Sequence, residues 1–363
     1  MTGPGNADPS SAQGASASSA QATDLSGARG ADPTGAPDVD YRATSARPAW
    51  SALPVELRRS LDESISVALG TEIATVGASV RSGFTGGFAA PAHLKDGRTV
   101  FIKAAPETLH SYGAYQREAE IVPQLPPAVR VPHILTTTEA AAGDVRWFAV
   151  VAEGIAARMP GMPWTAADFD LVTENCLTMA TALSPSPLDG LKPFMDDFSE
   201  HGPSRIPEEI QTGSRPLPDG FQPWLPKHLQ EIQDLVDLTP EALAGTAAIH
   251  GDLRPDNLLI DDACQCWTVD WNWLTLGAPW IDWVGLLPLA QHHGIDTITA
   301  ITTNPLTVDV PADHPDSLIA ALVAYVLEFV DAPPPPGCTP EIQRHRRLIG
   351  WCCLDWLALR RGW

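Results

Sequence analysis

The sequence predicts an α+β chain in two unequal parts: a small antiparallel sheet with one main helix, then a larger and mainly helical part. Three observations lead there. Between Thr71 and Val151, short apolar strands alternate with glycine-bearing turns and are interrupted once by a helical stretch. From Gly154 onward, apolar residues recur mostly at helical spacing. Within that second part, residues 248–273 break the helices with two short apolar strands that carry carboxylates and an amide.

Residues 1–47 are Ala, Gly, Ser, Pro, Asp and Thr with almost no large apolar side chain. Such a segment buries too little surface to offset its ordering entropy, so it is expected to be a disordered tail. The fold then divides into an N-terminal part, 48–154, and a C-terminal part, 155–363. Ser51 is placed to cap a helix running to Leu69, with Leu57, Leu61, Ile65 and Leu69 on one face. Strands follow at 71–80, 88–94 and 99–104. The turn between the first two holds Ser82, Gly83, Thr85 and Gly86, which offer backbone N–H groups and two hydroxyls to an anion such as a nucleotide phosphate. It lacks the Gly-Lys-Ser/Thr entry into a helix that a Walker loop needs. Lys103 stands alone on an apolar strand, a costly position unless it is paired or faces a ligand. A helix over 108–125 follows, with Glu118 fifteen residues after Lys103; Glu107 and Glu120 are rival partners. Strands at 133–138 and 145–151 run into Glu153, Gly154 and Ile155. Thr165 to Asp168 reads as a capping box before a helix reaching Leu183.

Residues 184–226 are an irregular, Pro- and Gly-rich insertion with Asp189, Asp196, Asp197, Glu200, Glu208, Glu209 and Asp219. Helices at 228–238 and 240–247 lead to residues 248–273. There His250, Asp252 and Asn257 share one loop, a strand Leu258-Leu259-Ile260 leaves it, and a returning strand delivers Asp270. One strand pair thus brings two carboxylates and an amide oxygen to a common edge. That set suits phosphoryl transfer, in which Mg²⁺ takes oxygen ligands and a carboxylate orients an attacking hydroxyl. Arg254 is placed either to contact phosphate oxygens or to pair with Asp256. Trp271 and Trp273 are candidates for core or for stacking on a ligand. Helices are expected at 316–330 and 340–359. The second carries Arg344, Arg346 and Arg347, with Arg360 and Arg361 just beyond it, and these read as a solvated face.

The run His250-Gly251-Asp252-Leu253-x-Pro255-x-Asn257, followed by Val269-Asp270-Trp271, resembles the catalytic loop of the aminoglycoside phosphotransferase family, within the protein-kinase-like superfamily of small-molecule kinases. The resemblance covers roughly residues 70–290. It implies a two-lobed kinase-like fold with ATP or GTP as donor and Mg²⁺. It implies Asp252 as the catalytic carboxylate with Arg254 beside it, and Asn257 and Asp270 as metal ligands. Lys103 and Glu118 match the strand Lys and helix Glu of that arrangement, and the segment through Glu153 and Ile155 matches the hinge that reads the nucleotide base. It implies His250 packed beneath the loop and Asp282 as a buttress of its backbone. The acceptor is then a small molecule with a hydroxyl. Antibiotic inactivation competes with a metabolic kinase of the choline or sugar type, and a nucleotide-binding module without turnover is the rival from another class.

A net charge of −21 disfavours nucleic acid and anionic membranes as partners and would suit a cationic acceptor. No apolar run is long enough to span a bilayer, and no secretory signal is recognisable at the N-terminus. The six cysteines are irregularly placed, without Cys-x-x-Cys pairs, so neither a disulfide framework nor a zinc site is expected. The reading is a reduced, cytoplasmic protein, with nothing to indicate its oligomeric state.

Overall fold

The first helix, α1 (Val55–Leu69), presents Leu57, Leu61 and Ile65 at four-residue spacing, and all three are fully buried. It ends at Gly70, whose left-handed φ of 69° is a position that glycine occupies without penalty. Its start differs from expectation. Ser51 lies in a 3₁₀ turn, Trp50–Ala52, and α1 begins after Pro54 with no side-chain cap. Proline presets φ for the helix and loses no needed donor at its start, so it opens α1 in place of Ser51. The structure is a computed structural model and describes residues 36, 38–198 and 204–363.

The strands β1 (Ile73–Val76), β2 (Phe88–Leu94) and β3 (Thr99–Pro106) precede helix α2 (Ser111–Ile121). Strands β4 (Ile134–Ala142) and β5 (Val145–Glu153) follow it. They form one antiparallel sheet in the order β1-β2-β3-β5-β4. β1 is shorter than the expected 71–80. Opposite Gly77 stands Pro91, which has no N–H to give, so only its carbonyl bonds across and the regular ladder stops. Val100, Ile102 and Ala104 of β3 pack with α1 in one core. Alternation therefore turns Lys103 and Ala105 to the opposite face, where Tyr115 of α2 packs on Ala105, Phe148 and Val150.

The larger lobe begins with β6 (Ala157–Arg158) and α3 (Ala166–Ala182), where Thr165 accepts from the Asp168 N–H at 3.1 Å as the capping pattern predicts. There follow α4 (Phe194–Phe198), α5 (Ile206–Gln211), α6 (Leu229–Asp237) and α7 (Thr239–Ala242), then β7 (Ala247–Ile249), β8 (Leu258–Asp261), β9 (Cys266–Thr268) and β10 (Thr275–Gly277). The chain closes with α8 (Ile281–His292), α9 (Thr297–Thr303), α10 (Asp313–Phe329) and α11 (Glu341–Arg361). Trp283, Leu287, Ala320 and Trp356 lie in its main core. The helix expected over 240–247 shrinks to α7. Gly245 lies so close to the backbone of Gly277 that a Cβ there would sit 2.1 Å from its carbonyl oxygen, so the chain leaves the helix to pass β10. The described residues of the 184–226 insertion include the short helices α4 and α5, and Arg205 and Arg215 tie down its carboxylates at Glu208 and Glu209. Glu200 and the Asp197 side chain lie outside the described residues.

The expected tail, 1–47, differs at its end. Residues 1–35 and 37 lie outside the described residues, but Tyr41, Thr44 and Ser45 are buried. The Thr44 and Ser45 hydroxyls both donate to the Gly83 carbonyl, Thr44 at 2.9 Å, and Ser45 bridges Cys338 in the α10–α11 connection. Small polar residues carry no burial signal of their own, and here the neighbouring backbone supplies their partners. Among the described residues, no helix is long and apolar enough to cross a membrane.

Candidate active site

Lys103 reaches across the sheet face to α2, where Glu118 sits one turn from the buried Tyr115. Its ammonium donates to both Glu118 oxygens at 2.8 Å and to Asp270 Oδ1 at 2.6 Å. The rival carboxylates are elsewhere: Glu107 pairs with Arg146, and Glu120 is exposed. Burial alone would lower the Lys103 pKa, but Asp270 and Glu118 outweigh it and hold the ammonium above its ordinary range. Burial pushes the Glu118 carboxyl up against the pull of Lys103. Asp270 is also buried, yet Lys103 draws its carboxyl below the ordinary value. Asp270 stands at φ 69°, ψ 48°, a left-handed position that Asp tolerates better than most residues.

The loop carrying Asp252 is held from below. Asp282, at the start of α8, accepts from the N–H of His250 at 2.7 Å and of Gly251 at 3.0 Å. His250 Nε2 bonds the Val269 carbonyl at 2.9 Å, so the histidine ties the loop to the strand that delivers Asp270. In the β8–β9 ladder Leu258 faces Thr268, and the Val269 N–H donates to the Asn257 carbonyl at 3.0 Å. Asn257 and Asp270 are thereby brought to one edge. The Asn257 amide nitrogen donates to the Asp252 carbonyl at 2.8 Å, which leaves its oxygen uncommitted. Asp270 likewise keeps one oxygen beyond the one that Lys103 takes. Two such oxygens on one edge fit a hard divalent cation that draws its other ligands from phosphate and water.

Arg254 is paired with the carboxylates on either side of it, with Asp252 and with Asp256 at 3.0 and 3.1 Å. Burial raises the Asp252 carboxyl above its ordinary pKa, and the Arg254 charge offsets part of that rise. A third of the Asp252 side chain remains open. It opens onto two cavities, of about 650 and 990 Å³, that share Phe84, Asp252, Arg254 and Arg346 in their walls. The smaller cavity also meets Asp270, Thr85 and Gly86. Ser82 and Gly83 line neither cavity; the Gly83 carbonyl is bonded to Thr44 and Ser45. Glu153 and Ile155 also lie outside both walls, and the Glu153 carboxylate accepts from the His133 N–H at 3.1 Å. Buried polar atoms without partners among the described residues occur here: Ser111 Oγ and Asn272 Oδ1 in residues lining the smaller cavity, and the hydroxyl of Tyr115, whose ring centroid lies 5.6 Å from the Lys103 ammonium.

The sequence profile of the phosphotransferase enzyme family, the aminoglycoside phosphotransferase type, matches residues 85–298. The chain belongs to that family. It is a small-molecule phosphotransferase with the two-lobed kinase-like fold. Its structure resembles the apo form of a thermostable mutant of aminoglycoside phosphotransferase APH(4)-Ia, with a TM-score of 0.52 and 13% identity over 83% of this chain and 98% of that one. A ternary complex of the same protein with AMP-PNP and hygromycin B gives a TM-score of 0.51 at 15% identity, over 84% and 98%. An aminoglycoside phosphotransferase from Alicyclobacillus acidocaldarius gives 0.50 at 12% identity, over 80% and 92%. None of the curated protein sequences compared matches this phosphotransferase.

Three features of the phosphotransferase site escape its sequence pattern. Arg47, within the expected tail, donates to Thr85 Oγ1 at 3.3 Å. The ring of Phe84 packs between the Arg254 guanidinium, at 4.8 Å, and the half-buried His345 ring, at 4.5 Å. Arg346, read as part of a solvated face, is buried and lines both cavities. The sequence held a signal for it: Ile342, Arg346, Gly350, Cys353 and Leu357 repeat at helical spacing and are all buried. Arg360 is paired with the buried Asp316 rather than solvated. Of the two tryptophans, Trp271 is fully buried, whereas Trp273 is 43% exposed and lines the smaller cavity.

Proposed function

We propose that this phosphotransferase moves the γ-phosphate of ATP or GTP to the hydroxyl of a small molecule seated in the larger cavity. The observation that carries this reading is the joint placement of Asp252 and Asp270 in the wall of the smaller cavity, with Asp270 bonded from behind to Lys103 and through it to Glu118. Asp252 orients the acceptor hydroxyl and takes its proton as the oxygen bonds to the γ-phosphorus and the bond to the β-phosphate oxygen breaks. A carboxyl raised by burial is a stronger base than an exposed one. Arg254 releases Asp252 as substrate enters and turns toward phosphate oxygens. Lys103 steadies the α- and β-phosphates, held in place by Glu118. Asn257 and Asp270 would hold Mg²⁺, which supplies positive charge against the phosphate oxygens when bound. Thr85 and Gly86 lie nearest the phosphates, with Ser82 and Gly83 shaping the turn behind them.

The nucleotide base belongs beside Val151–Ile155. The Glu153 N–H goes to His133 and the Gly154 N–H to Thr99, which leaves the Ile155 N–H for the base. The acidity that would suit a cationic acceptor is not gathered at the larger cavity. Among the described residues that line it, Glu209 is held by Arg215 at 2.9 Å, Asp252 is paired with Arg254, Asp282 is bonded to two backbone N–H groups, and Glu328 is exposed.

The test is turnover by Asp252→Asn with MgATP and MgGTP, read against nucleotide affinity. Turnover should fall by about 10²–10⁴-fold, the usual worth of a general base, while nucleotide binding stays near wild type. Near wild-type turnover would remove Asp252 from the chemistry. Tight nucleotide binding by the wild type, without hydrolysis or transfer to any acceptor, would make the protein a binding module instead.

A further inference from the structure

The larger cavity is walled mainly by hydrocarbon. Phe194, Leu286, Leu322 and Ile349 line it, with Tyr325 and Phe329 at 5.0 Å from each other on α10. Those two rings are left 45% and 36% exposed, an apolar surface that a ligand covers at a gain. Among the described residues, the charges around it do not form a site for a polycation. Of the carboxylates that line it, Asp252 and Glu209 are each held by an arginine, and Asp282 accepts from the His250 and Gly251 N–H groups. Glu328 is the cavity-lining glutamate without a cationic partner among the described residues, and it is exposed.

Arg346 is the reverse case. It is 9% exposed and has no carboxylate partner among the described residues. Its Nη1 donates to the carbonyls of Phe329, at 3.0 Å, and Ala332, at 3.2 Å, which close the C-terminal end of α10. That is a favourable place for a cation at a helix end, and it accounts for one nitrogen. Nε and Nη2 have no partner among the described residues, yet Arg346 lines both cavities. A guanidinium with this edge free presents two parallel donors to a carboxylate or phosphate, and burying it without an anion is unfavourable. The neighbouring His345 does not compete for an anion. Burial, aided by Arg254, pushes its pKa down to about 3, and its Nδ1 is bonded to the Tyr41 hydroxyl.

Asp252 and Arg346 both stand where the two cavities meet, so a hydroxyl on Asp252 and an anion on Arg346 belong to the same end of one molecule. We propose that the acceptor is an apolar hydroxy acid, whose hydroxyl meets Asp252, whose carboxylate is received by Arg346 and whose hydrocarbon body fills the larger cavity. The proposal rests on the phosphotransferase reading of the same site.

The test uses the full chain with MgATP and two matched sets of acceptors. One is β-hydroxydodecanoate, its methyl ester and the amino alcohol of the same length. The other is phenyllactate, its methyl ester and phenylalaninol, and hygromycin B stands as the polycation. ADP release and the mass of the phosphorylated product are read together. The acid should exceed its ester and its amino alcohol by about tenfold or more in kcat/KM in at least one set, the worth of a charge-assisted bidentate contact. Arg346→Met should bring acid and ester within about threefold of each other, a change that a merely structural arginine would not produce. A preference for the amino alcohols or hygromycin B would overturn the proposal, as would failure of both acids to react. Equal loss with every acceptor, at an unchanged acid-to-ester ratio, would assign Arg346 to the transferred phosphate and overturn it too. If Arg346→Met does not fold, the wild-type ranking of acid, ester and amine decides. The phosphotransferase reading fails separately, by absence of any thermal shift or slow hydrolysis with MgATP.

Discussion

Replacing Lys103 by Met strands two carboxylates. Lys103 lies 2.8 Å from Glu118 and 2.6 Å from Asp270, with side-chain exposures of 16%, 7% and 25% in that order. At an effective dielectric of about 20, one such contact is roughly 6 kcal/mol of gross attraction. The net loss is smaller, because a carboxylate without its cation takes a proton rather than remain charged. Protonating a carboxyl of ordinary pKa at about pH 7 costs about 4 kcal/mol, at about 1.4 kcal/mol per unit, and that sets the ceiling. Lys103→Met should therefore lose about 3–4 kcal/mol of stability at about pH 7, in the range found for breaking buried ion pairs. In the variant, the protonated carboxyl has a folded pKa above its unfolded one. Its stability is fully present below the unfolded value and is lost as pH rises through the folded value. The gap from wild type should thus narrow by about 1.4 kcal/mol per unit of falling pH, to about 1 kcal/mol near pH 5. Urea denaturation of both proteins across that range, followed by far-ultraviolet circular dichroism, measures it. A loss below about 1 kcal/mol at about pH 7, or one independent of pH, would refute the described burial of the cluster.

As the proposed base, Asp252 has to be ionised to accept a proton, and burial raises its pKa, so kcat/KM should climb with pH through a limb lying above the ordinary Asp value of about 3.9; a flat profile from about pH 4 upward would contradict this. Asp282→Ala removes the acceptor of two backbone N–H groups beneath the loop and should cost about 2–5 kcal/mol. It should also lower turnover more than nucleotide affinity, and Asp282→Asn should recover part of both losses. Gly251→Ala meets a left-handed φ of 79° and places a Cβ 2.7 Å from the Trp273 carbonyl oxygen. Thermal melts should show it destabilised by about 1–3 kcal/mol, and turnover should fall with it because the next residue is Asp252.

The sequence by itself determined what depends on neighbours along the chain. Alternation on the third strand placed Lys103 on the face away from the first helix. Four-residue spacing placed Leu57, Leu61 and Ile65 in the core, and the loop from His250 to Asn257 with its returning strand set the order of the site. Tertiary structure alone decided which charges meet. Lys103 chose Glu118 over Glu107 and Glu120 because the third residue after the buried Tyr115 faces the sheet, while Glu107 lies beside Arg146. Lys103 also met Asp270, which lies in the other lobe, 167 residues along the chain. Residues 38–47 read as tail because their small polar side chains gain little from burial itself; hydrogen bonds to Gly83 and a bridge to Cys338 order them. Arg346 read as surface because it is charged, though it stands on the buried stripe of its helix. Hydrophobic burial leaves a periodic trace in a sequence. The partner of a buried charge leaves none, because it arrives from a distant segment and is selected by distance in space.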